Sequence, residues 1–143
     1  MLQDHLQETY QYLFDQAHLA LQQGGSMRPF GAGTRRTGET IEARVETRPG
    51  DDGAAPHIQG LIAGFRQEDA EHGLIAAGLV FDAAVEDGGT VFSRALCFHL
   101  EAANGRALQV IVPYDMRVGA VIEFAEPAIE EVLPEVFTAA AAT

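Results

Sequence analysis

Residues 91–101, VFSRALCFHLE, and 107–114, ALQVIVPY, are two runs of apolar, β-branched and aromatic residues joined by a polar link that ends in Asn104, Gly105 and Arg106. Asn-Gly accepts the positive φ values of a tight turn, so the segment predicts an antiparallel hairpin. Its alternation puts Arg94, Leu96 and Phe98 on one face and Cys97 and His99 on the other. With the large apolar residues turned toward the core, Cys97 and His99 are expected on the outer face of the sheet.

Outward from this hairpin the chain alternates short strands with two helices. Leu2, Leu6, Tyr10, Leu13, Ala17 and Leu21 recur at helical spacing and predict a helix over Leu2–Gln23, stopped by Gly24 and Gly25. Pro29 to Thr34 and Glu39 to Thr47 predict a hairpin turning at Thr37 and Gly38, its second strand alternating Ile41, Ala43 and Val45 with charged residues. Gly31 and Gly33 within its first strand predict close packing beneath a helix. Ile58, Leu61, Ile62 and Phe65 predict a second helix from His57 to His72, ended by Gly73. Strands follow at Leu74–Glu86, Thr90–Glu101 and Ala107–Pro113, with one more at Val118–Phe124. Pro127 and Pro134 break regular structure, so residues 126–143 are expected to be an irregular acidic tail.

The fold expected is α+β: an antiparallel sheet of five or six strands covered by two helices, in the order α-β-β-α-β-β-β with an optional last strand. Parallel neighbours need a long crossover, and only the second helix supplies one. Profilin-like and roadblock-like domains share this element order. The 143 residues, without internal repeat or linker, predict a single domain.

Composition narrows the function classes. The net charge of −12 leaves both ends acidic: residues 1–26 carry three acids and residues 118–143 carry five, with no base in either. Such a surface repels phosphate backbones and anionic lipids, which argues against nucleic-acid and membrane-surface partners; it reads first as a solubilising charge and second as attraction to a basic partner. No signal-like start or long apolar run is present, so a cytoplasmic protein is expected. All nine basic residues are Arg, which removes lysine Schiff-base chemistry and the P-loop lysine. A lone cysteine, Cys97, excludes an intrachain disulfide and a cysteine-rich metal site.

Pro29, Phe30, Gly31 and Ala32 after an N-terminal helix, then Arg94, Ala95 and Leu96 with Phe98, Leu100 and Glu101, then Gly105 and Val112, Pro113 and Tyr114, form a pattern that resembles a group of small uncharacterised bacterial proteins. The resemblance covers about Pro29 to Phe137. It implies a bacterial origin and a single α+β domain, and it brings no catalytic residues with it.

Candidate chemistry is sparse. Cys97 and His99 share a strand face, and a thiol beside an imidazole is the raw material of a cysteine nucleophile, but i and i+2 positions stand about 6.5–7 Å apart along the backbone. Arg94, like Arg35, Arg36 and Arg117, has a fork that can hold a carboxylate or phosphate, but it reads first as a partner of nearby acids; with Tyr114 it enters only the enzyme alternative. Glu68, Asp69 and His72 form half of a di-metal carboxylate pattern without a second half, and read as a solvated helix face. His57 reads as a cap or loop contact. Ser26 and Ser93, the only serines, sit outside any nucleophile elbow. Asp51 and Asp52 are too few for a calcium loop, and Arg35, Arg36 and Arg117 read as partners of nearby acids. No cofactor and no metal are expected. The function expected is a non-enzymatic interaction, regulatory or assembly module, with an immunity- or inhibitor-like protein as a special case and a homodimer as one arrangement. The alternative is a small enzyme or ligand-binding domain with a helix-sheet pocket built from Cys97, His99 and Arg94.

Overall fold

The computed structural model describes residues 2–24, 27–44, 55–84, 94–117 and 121–138. Helix α1 spans Leu2–Gly24 and is followed by strands β1 (Phe30–Arg35) and β2 (Thr40–Arg44). Helix α2 (Ala55–His72) then leads into β3 (Leu74–Ala84), β4 (Arg94–Ala102), β5 (Ala107–Arg117), β6 (Val121–Phe124) and β7 (Ala128–Val132). All seven strands lie in one antiparallel sheet ordered β2-β1-β3-β4-β5-β6, with β7 also paired to β5. This is the expected α+β architecture with one strand more than expected. The expectation of irregular structure after Glu126 is corrected by β7, which pairs with Ala107–Ile111 while β6 pairs with Tyr114–Arg117 on the same edge of β5. Pro127 does not stop the sheet; it sits in the three-residue break between the two short strands, where a missing N–H costs nothing.

The hairpin that decides the fold turns where the sequence places it. Gly105 has φ 94°, Gly105 N–H donates to Ala102 O, and Asn104 Oδ1 accepts from the N–H of Arg106. From that turn the register runs Glu101 opposite Ala107 through Arg94 opposite Tyr114.

The two helices cover opposite faces. On one, α1 lays Leu6, Leu13, Ala17 and Leu21 over Phe30, Val80, Leu96, Phe98 and Val112. On the other, α2 lays Leu61, Ile62 and Phe65 over Leu74, Ala77 and Leu79. Small residues make room for both. A Cβ on Gly31 would come within 2.7 Å of the Phe65 ring and 2.8 Å of Gly78 O, and one on Gly78 would meet Leu100 and Thr9 on the α1 side. The close packing anticipated beneath a helix is therefore real at Gly31, with Phe65 as the packing partner, whereas a Cβ on Gly33 would meet Phe65 at an ordinary contact distance of 3.4 Å. Gly31→Ala is expected to cost about 1–3 kcal/mol, the usual penalty for overpacking a filled core, read as a lower urea midpoint. Phe65→Leu in the same chain should restore part of it; an unchanged midpoint in the single variant would show that the contact yields freely.

Candidate functional site

The candidate residues separate as the strand parity demands. Cys97 and His99 lie on the α2 face, and Arg94 lies on the α1 face at the far end of β4. The pocket of Cys97, His99 and Arg94 expected as one alternative is thus not assembled: one layer of backbone divides its members. The expectation that Cys97 and His99 face an open outer surface is also corrected. Cys97 is buried and His99 largely so, because α2 and a segment following β7, with Val136 and Phe137 in the core, cover this face.

Glu101 is the residue that draws this segment in. Its side chain is fully buried on β4. Glu101 Oε2 accepts from the backbone N–H of Glu135 at 2.8 Å, Glu101 Oε1 from that of Phe137 at 3.0 Å, and Val136 N–H is shared between the two oxygens at 2.9 and 3.0 Å. His99 Nε2 completes the shell at 2.5 Å from Oε2. Three successive N–H groups aimed at one carboxylate form an anion nest. Burial alone pushes this carboxyl up, but the bonds from His99 and from the N–H groups of Phe137, Glu135 and Val136 outweigh it, and the group is held below the usual carboxylate range. The sequence carries no signal of it, because the parity that Glu101 shares with Cys97 and His99 reads there as the outer face.

The same bonds decide against the nucleophile. His99 gives Nε2 to Glu101 and not to the thiol, while burial and, secondarily, the Asp82 carboxylate push the Cys97 thiol up. A thiol held protonated near neutral pH is a poor nucleophile. Cys97 and His99 instead line a cavity of about 220 Å³ together with Ile58, Leu79, Phe81 and Gln109.

Arg94 belongs to a clamp across three strands on the α1 face. The hydroxyl of fully buried Tyr114 on β5 donates to Asp82 Oδ1 on β3 at 2.7 Å. Arg94 Nε donates to the Tyr114 hydroxyl at 3.0 Å, and the guanidinium pairs with the Asp82 carboxylate. Burial, followed by the bond to Asp82, pushes Tyr114 up to about 12; the Asp82 bond raises Arg94 in turn. A guanidinium and a phenol satisfied by one nearly buried carboxylate are structural partners, and they leave no fork open for a ligand.

Glu68, Glu71 and His72 bring their ligand atoms within 4.8 Å of one another. Glu68 is nevertheless engaged by Arg35 at 2.6 Å, and Asp69 accepts the N–H of Leu74 at the end of α2. The solvated helix face expected of this stretch holds for Glu71 and His72, which are exposed, while Glu68 and Asp69 are half-buried in these bonds. His57 is buried in the first turn of α2. Ser26, Ser93, Asp51 and Asp52 lie outside the described residues.

A larger concavity lies on the α1 face and involves none of the sequence candidates. Along its second half α1 is seated on the sheet by Phe14, whose ring is 4.9 Å from that of Phe124 on β6. Beside its first half, where β7 replaces β6, a groove of about 520 Å³ opens between Leu6, Gln7 and Tyr10 of α1 and Pro127 and Ile129, with Leu100, Leu108 and Val110 as its floor. Ile129 is 63% exposed and stands opposite Val110, so it faces the groove side. Arg106 closes one end and reaches Glu131 at 3.6 Å. No helix among the described residues is long and apolar enough to cross a membrane. Comparison with protein-family models, with curated proteins and with solved structures returned no match.

Proposed function

We propose that this protein is a non-enzymatic interaction module whose groove between α1 and β7 receives the apolar side chains of a basic protein segment. The observation that carries the reading is the groove itself: an apolar floor and an exposed Ile129 beside a chain section, 121–138, that carries five acids and no base. The acidic section beside the groove, whose only charged lining residue is Arg106, favours a partner of the opposite sign and speeds its approach. This is the logic of an inhibitor or immunity-like protein that masks a basic surface. Pairing with a second copy through β7 is the weaker reading, because it would bring the acidic stretch of Glu130 and Glu131 up against a second such stretch.

The test is fluorescence anisotropy with synthetic peptides alternating Arg and Leu, against the same peptides with Glu in place of Arg. The basic series is expected to bind, to weaken as salt rises, and to lose about tenfold in affinity with Ile129→Gln, about the value of one buried apolar side chain at an interface. Equal binding of the acidic series, or full affinity in the Ile129 variant, would overturn the reading. A concentration-dependent dimer abolished by Ile129→Gln would replace it with self-association.

A further inference from the structure

We infer that the cavity on the α2 face is a second binding site, for a small, mostly apolar molecule with one hydroxyl or N–H donor, of the size of phenol or indole. The recess is partly open to solvent and measures about 220 Å³, larger than an enclosed cavity of about 150 Å³ that accommodates benzene. One aromatic ring system fits it.

The lining sets the chemistry. Ile58 from α2, Leu79 and Phe81 from β3, and Cys97 from β4 make an apolar wall. The polar groups gather at the other side, where His99 and Gln109 stand directly opposite each other across β4 and β5. Glu101 fixes the imidazole: an ionised carboxylate only accepts, so the Nε2 facing it at 2.5 Å carries the hydrogen, and in the neutral imidazole Nδ1 is then the acceptor. A ligand donor meets that acceptor, and the Gln109 carboxamide accepts or donates as the ligand requires. Glu135 completes the lining, and its backbone is tied to Glu101, so the segment after β7 walls the site as well as covering the sheet. An apolar recess with a small number of converging polar groups is the general form of a small-molecule site. Its orientation by a buried carboxylate through His99 distinguishes it from a packing defect.

The experiment is a titration of the 15N-labelled protein with indole, and with indene as the partner of equal shape that lacks the N–H. Saturating amide shifts centred on Ile58, Cys97, His99 and Gln109 are expected with indole, and binding about tenfold weaker or more with indene, since a site built around a hydrogen bond rejects the analogue that lacks it. Gln109→Leu should reduce this preference while leaving the far-UV circular dichroism unchanged. Indole should also slow modification of Cys97 by a thiol reagent, a readout blind to binding in the groove on the opposite face. No shift at these four residues, or equal binding of indole and indene, overturns the inference. Shifts confined to Leu6, Tyr10 and Ile129 overturn it equally, by assigning the ligand to the groove.

Discussion

Glu101→Ala is expected to destabilise the protein by about 3–5 kcal/mol, the range seen when a buried, fully satisfied charge site loses one partner. The cost does not come from the lost carboxylate alone. The N–H groups of Glu135, Val136 and Phe137 all point to it, and buried donors left without an acceptor cost about 1–3 kcal/mol each before relaxation. The chain relieves the strain by lifting the segment, which uncovers Val136 and Phe137. Two measurements separate the steps: the urea midpoint reports the total, and amide exchange at residues 135–137 reports the release. Protected amides there in the alanine variant would refute the clamp.

The pH dependence has a defined sign. The folded-state carboxyl of Glu101 is held below the usual range, so the unfolded chain binds the proton more readily, and the contribution to stability is complete above the unfolded value, about 4.3. It is lost as pH falls below that value through the folded one. The urea midpoint of the wild type is therefore expected to fall more steeply below about pH 4 than that of Glu101→Gln, which has no proton to gain there.

Asp82→Ala is expected to cost about 2–4 kcal/mol, because it strips the fully buried Tyr114 hydroxyl of its acceptor and leaves Arg94 unpaired. Tyr114→Phe should cost less, since the Asp82 and Arg94 pair survives. The double variant should fall short of the sum of the two singles by about 1–2 kcal/mol, the coupling of neighbours in one polar network. Strict additivity in denaturant unfolding would show that the hydroxyl and the carboxylate act independently and would sink the clamp.

Much of the fold was legible because its signals are local. The Asn104 and Gly105 turn, the alternation through β4 and β5, and the α1 stripe each follow from steric or solvation rules acting over a few residues, and each element formed where those rules put it. Strand β7 was hidden for a physical reason. Ala128 to Glu131 are all exposed, so no hydrophobic alternation marks them; the strand exists because the edge of β5 beyond β6 offers unpaired backbone. The site was legible in part. Parity correctly divided Cys97 and His99 from Arg94, but it assigned their face, and Glu101 with it, to solvent, whereas the structure buries it. It gave no hint that residues 135–137 would arrive to meet that acid, since a nest of backbone N–H groups leaves no mark in side-chain identity. The groove was invisible because it records where α1 stops covering the sheet, a property of lengths and angles and not of any motif.

The small residues at the crossing of β1 and β3 bear on descent as well as on packing. Side chains at positions 31 and 78 would collide with Phe65 on one face and with α1 on the other, so any homologue that keeps a helix on both faces is held to glycine there unless its helices move apart. Gln7 and Ile129, exposed at the groove, answer to no such constraint. In a lineage of such proteins the waist would stay constant while the groove drifts with whatever it binds, and that contrast would tell divergence of partners from divergence of fold.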